Sequence, residues 1–106
     1  MSQFMITYIG GDQPSSPDEG RQHMAKYMEW LSSLGEAAVS PMNPLGSTHT
    51  ITSDGEISEG SKVSMSGYTI VEADSIDDAI AMAKGCPFLD INGTLEVSEL
   101  IQMPTG

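Results

Sequence analysis

Between Gly67 and Met103 the hydrophobic period changes twice, and each change is marked by a capping or turn residue. Tyr68–Ala73 partly alternates apolar with polar and is rich in β-branched residues, which predicts a strand. Ser75 then offers an N-cap with Asp78 at N3, and Asp77 and Asp78 put negative charge where the helix dipole favours it. Ile76, Ala79, Ile80 and Ala83 follow at i, i+3, i+4 and i+7, a narrow face of small residues suited to lying close on a sheet. Lys84, Gly85 and Pro87 end that helix, with Gly85 expected in the left-handed position. After a turn at Asn92-Gly93, Thr94–Met103 reads as a strand. Strand, helix and strand make a β-α-β unit whose strands are expected to be parallel.

The remaining pattern is simpler. Phe4–Ile9 is a strand apolar on both faces, with Phe4, Ile6 and Tyr8 opposing Met5 and Ile9. Ser16 caps a helix beginning at Pro17 and running to about Leu34, with Met24, Tyr27, Met28, Leu31 and Leu34 as its core stripe. His23 and Trp30 share one edge of that stripe. Glu36–Ser40 is a short strand stopped by Pro41 and Pro44, and Ser47–Thr52 is another, while residues 56–65 are too polar and Gly/Ser-rich to assign. The order matches a ferredoxin-like, split β-α-β, α+β protomer: one domain over residues 1–106, with an antiparallel sheet and both helices on one face. Helices on one face leave the second apolar face of Phe4–Ile9 and Tyr68–Ala73 uncovered. We therefore expect a homodimer, sheet against sheet.

Charge narrows the partners. Fifteen acidic against four basic residues give a formal charge of −11, which argues against nucleic acid and anionic membranes. One cysteine cannot form an internal disulfide, and the apolar run Phe4–Ile9 is too short for a signal or spanning segment, so a cytoplasmic protein is expected. Two distant histidines and one cysteine show no metal-ligand spacing, and Gly10-Gly11 lacks the lysine of a phosphate loop, so no metal and no cofactor are expected.

His23 is the foremost candidate for general acid or base, set against a surface or carbonyl-bonded histidine. Cys86, a further pocket candidate, follows a helix C-terminus, the wrong end to activate a thiol; a nucleophile there would need His23 close by, and the favoured reading is a small buried hydrophobe. Glu99 breaks its strand's pattern: an unbroken strand turns it inward as an acidic partner for His23, whereas a β-bulge near Ser98, the expected arrangement, turns it outward. Tyr8, Trp30, His49 and Tyr68 are candidates to line a pocket, set against core or interface roles.

GYTIVEADSIDDAIAMAKGCPFLDINGTLEV, with RQHMAKYMEWLSSLG and SPMNPLG, resembles the YCII-related domain family across nearly the whole chain. The resemblance implies a dimeric α+β barrel of ferredoxin-like protomers. In some members a first-helix histidine, matched by His23, is proposed to work with an aspartate, and one branch carries out dehydrochlorination. The aspartate of the Asp-Pro-Phe/Tyr pattern is replaced in Cys86-Pro87-Phe88, and of an Asp-Gly-Pro-Phe motif only Asp54-Gly55 is present, before Glu56-Ile57. Neither marked branch is matched in full. Two functions follow: a small dimeric lyase- or hydrolase-type enzyme acting on a small, aromatic molecule, or a non-catalytic dimeric module that binds a small ligand or assists a partner.

Overall fold

The computed structural model describes residues 2–103, arranged as six strands and two helices. In chain order these are β1 (Ser2–Gly10), α1 (Pro17–Leu34), β2 (Ala38–Pro44), β3 (His49–Ile51), β4 (Ile57–Glu59), β5 (Met65–Ala73), α2 (Ile76–Lys84) and β6 (Gly93–Glu99). Short 3-10 turns at Gly35–Ala37 and Pro87–Ile91 lead into β2 and β6. Both helix starts follow from their caps. Ser16 accepts from the Glu19 backbone N–H and Ser75 from that of Asp78, each at 3.1 Å. Gly85 ends α2 in right-handed rather than left-handed geometry, at φ −84°, because the chain continues straight into the Pro87 turn.

The main sheet has the order β2-β5-β1-β6, with every neighbouring pair antiparallel. β5 and β6 both oppose β1, so they are parallel to each other and separated by β1. That is the split β-α-β arrangement. Phe4, Ile6 and Tyr8 face the helices together with Thr69, Val71 and Ala73, and pack on Trp30, Leu31, Ala79, Ala83 and Cys86. Ala79 and Ala83 let α2 sit close, while Ile76 and Ile80 flank the contact and are exposed. The opposite face carries Met5, Thr7, Ile9, Tyr68 and Ile70, and among the described residues neither helix packs on it.

Three expectations are corrected. β2 passes through Pro41 to Pro44 because it is an edge strand, where a missing ladder N–H is tolerated, and its pairing with β5 slips at Ser40 and Asn43. The strand expected at Ser47–Thr52 lies outside the main sheet: β3 pairs only with β4, as a hairpin with Ile51 opposite Ile57, both exposed. The last strand ends at Glu99 rather than Met103.

Candidate functional site

α1 and the β2–β5 edge diverge enough to leave a cleft of about 170 Å³. His23, Met24 and Tyr27 line it from α1, Met42, Asn43 and Pro44 from β2, Ser66 and Gly67 from β5, with Tyr8 and Phe88 behind. Gly67 permits the close approach of β2: a Cβ there would stand 2.9 Å from the Asn43 carbonyl oxygen. Asn43 is held in turn, its Nδ2 donating to the Tyr68 carbonyl at 3.2 Å and to that of Ser40 at 3.1 Å.

His23 and Tyr27 stand one helical turn apart on α1, so their side chains project from the same face. Tyr27 meets Tyr8 edge-on, with ring centroids 6.0 Å apart, and Phe88 tilts against Tyr8 at 5.2 Å. The walls are thus aromatic and thioether surface, and the polar groups are few: the His23 ring, the Tyr27 and Ser66 hydroxyls and the Asn43 amide. That mixture suits a small, flat, mostly apolar molecule.

Beneath the cleft the Tyr8 hydroxyl is hydrogen-bonded to Thr69 Oγ1 and lies 2.9 Å from the Tyr27 hydroxyl. Thr69 Oγ1 donates to the Pro41 carbonyl at 2.7 Å. Burial raises the Tyr8 pKa far above the ordinary tyrosine value. Cys86 is buried against Tyr8, and burial pushes its thiol up to about 11 from an ordinary value of 9.0. Both groups are therefore neutral at pH 7, and Cys86 is no nucleophile.

The sign of the pH effect follows from these raised values. Between pH 9 and 11 the folded protein keeps the Cys86 proton while the unfolded chain loses it, so stability falls as pH rises through that window. The expected loss is about 2 kcal/mol by pH 11, with Tyr8 adding to it above pH 10. Urea denaturation at pH 8 and pH 10.5 checks this, and Cys86→Ala should remove the earlier part of the slope.

Of the residues read as candidates, the structure brings His23 and Tyr8 to the cleft and places Cys86 behind Tyr8. The others lie elsewhere. Trp30 is buried two turns beyond His23 on the same face of α1, its Nε1 donating to the Met82 carbonyl at 2.9 Å, so it joins α1 to α2 and does not line the cleft. Tyr68 opposes Thr7 on the uncovered sheet face, because alternation along β5 sends it away from Gly67 and Thr69. His49 is exposed on the β3–β4 hairpin, with Nδ1 3.1 Å from the Ser47 carbonyl. Glu99 pairs with Phe4, at the other end of β1 from Tyr8, four residues or about 13 Å along the strand.

The β1–β6 register runs without interruption from Gly93 to Glu99, so the expected bulge near Ser98 is absent. Glu99 keeps the helix-side register but is exposed because the strand ends there. Among the described residues no carboxylate pairs with His23, since the ion pair on that helix joins Arg21 to Asp18. No cluster of three metal-ligating side chains occurs among the described residues. Tyr27, Asn43, Thr69 and Phe88 were not read as site residues. The available signal was the spacing of Tyr27, four residues after His23.

Residues 3–104 match the YCII-related domain. No functionally curated protein matches the chain. A solved structure similar to it is 5-chloro-2-hydroxyhydroquinone dehydrochlorinase from Burkholderia phenoliruptrix, in complex with 2,5-dihydroxybenzoquinone. The two are 22% identical with a TM-score of 0.55, over 98% of this chain and 95% of that one. At that identity the likeness is one of fold. No helix of the described residues is long and apolar enough to cross a membrane.

Proposed function

The chain belongs to the YCII-related domain family, and on that footing we propose that it is a small homodimeric enzyme whose α1–β5 cleft takes a small aromatic molecule, with His23 moving the proton. The carrying observation is that His23 opens onto a cleft with aromatic and methionine walls, neither sealed in the core nor standing in free solvent. An imidazole there can take a proton from a bound ring substituent and return it at a later step. The lyase or hydrolase class is favoured, because the cleft offers acid–base groups and a neutral, buried Cys86 rather than a thiolate. The dehydrochlorinase with the same fold supports an aromatic substrate of this size.

A second reading is a non-catalytic binding or accessory dimer. The lack of a carboxylate paired with His23 among the described residues, with Cys86 where the histidine–aspartate branch has its acid, favours it. The two readings separate in one experiment. Wild type and His23→Gln are assayed with 5-chloro-2-hydroxyhydroquinone and a panel of halogenated phenols, following both chloride release and binding. The enzyme reading expects turnover that falls by about 10²–10⁴-fold in His23→Gln while binding persists. Binding without turnover in the wild type would leave the accessory module.

The homodimer rests on the uncovered face formed by Met5, Ile9, Tyr68 and Ile70. Light scattering should give twice the 11.3 kDa chain mass; a stable monomer would overturn that part of the proposal. The lone cysteine and the acidic composition fit residence in the cytoplasm.

A further inference from the structure

We infer that Tyr27 sets the specificity of the cleft by presenting a hydrogen-bond acceptor, so that the site selects ring molecules carrying a hydroxyl or amino donor; this rests on the cleft being a small-molecule site. The inference comes from counting protons. Three hydroxyls, those of Tyr27, Tyr8 and Thr69, are linked in a chain that ends at one carbonyl, that of Pro41. A carbonyl only accepts, so the Thr69 proton goes to Pro41, at 2.7 Å. Thr69 Oγ1 must then accept from Tyr8, which spends the Tyr8 proton. The contact of 2.9 Å between the two tyrosines is left to be made by the Tyr27 proton, donated inward. The other partners of Tyr27, Pro41 and Thr69 at 3.4 Å, are more distant.

The relay therefore runs in one direction, from Tyr27 through Tyr8 and Thr69 to Pro41. Its outermost oxygen has given away its only proton and accepts from none of the described residues. Tyr27 is half-buried and lines the cleft beside His23, one turn away. Each inward donation polarises the next hydroxyl, which strengthens the outer oxygen as an acceptor. A ligand that offers only an ether or carbonyl oxygen would face this lone pair without a proton between them.

Phenol and its methyl ether, anisole, are probes of the same ring with and without the donor. Both are titrated into wild type, Tyr27→Phe and Thr69→Val, following the methyl resonances of Met24 and Met42. Phenol should bind the wild type at least tenfold more tightly than anisole, and Tyr27→Phe should bring that ratio near one. Thr69→Val removes the acceptor of the Tyr8 proton, turns Tyr8 toward Tyr27 and shifts the ratio in favour of anisole. Equal binding of the two probes by wild type, or a ratio that survives in Tyr27→Phe, overturns the inference alone. Failure of both probes to perturb the cleft overturns it together with the small-molecule reading. The unliganded wild type supplies a check independent of any variant. The Tyr8 hydroxyl proton should show a nuclear Overhauser contact to the Thr69 methyl, and a Tyr8 proton directed at Tyr27 would reverse the relay and overturn the inference.

Discussion

Trp30→Ala should lower stability by about 3–5 kcal/mol, the range for emptying a buried aromatic site. Trp30 is 7% exposed and its indole both fills the space between α1 and α2 and donates to the Met82 carbonyl. For a domain of this size the loss corresponds to a fall in Tm of roughly 15 °C or more. The hydrogen bond is the smaller share. Met82 also accepts from the Gly85 N–H, so its carbonyl keeps a partner when the indole is removed. Trp30→Phe, which keeps most of the packing, should therefore cost about 1 kcal/mol. Thermal and urea denaturation followed by circular dichroism separate the two variants. Equal losses would mean that the hydrogen bond, not the packing, dominates.

The second large effect is expected at Gly93, where β6 begins. A Cβ at this position would lie 2.3 Å from two ring carbons of Phe88 and 2.6 Å from its carbonyl oxygen. A ring can rotate away from such a contact, but the carbonyl belongs to the 3-10 turn that feeds β6 and cannot. Gly93→Ala should cost about 3 kcal/mol, at the upper end for overpacking. It should also move Phe88 off the cleft wall, so probe binding weakens with stability. Adding Phe88→Leu relieves only the ring contact and should restore a minor part of the loss. Recovery of full stability in that double variant would show that the carbonyl contact is harmless.

Much of this architecture is local and was legible from residue order. Ser16 and Ser75 cap their helices through their own backbone neighbours, and the strand–helix–strand pattern from Tyr68 onward needs no distant contact to be read. Alternation also separated the two faces of β5. It does not say which face meets the helices, and Tyr68 as a pocket residue failed on that point. Trp30 failed for a related reason. The α1 stripe of Met24, Tyr27, Met28, Leu31 and Leu34 is turned toward Trp30, leaving Met24 and Met28 exposed, because the indole found a carbonyl on α2, a partner 52 positions away. Glu99 looked like a buried anomaly only while β6 was taken to continue to Met103. A strand that stops at Glu99 exposes its last side chain whatever the register. The hydroxyl relay was the least legible feature, since Tyr8, Tyr27, Pro41 and Thr69 come from four separate elements and share no spacing.

The position of β1 has a kinetic consequence. β1 leaves the ribosome before both of its partners, β5 on one edge and β6 on the other, so that Phe4 meets Val71 and Glu99. No element between β1 and β5 pairs with it among the described residues, and the sheet closes only once β5 and β6 have both been made. Contacts this distant in sequence place folding toward the slow end of small domains, milliseconds to seconds. Until then an apolar strand waits with both edges open, and a nascent chain stalled before β6 is the species most exposed to pairing with a stranger.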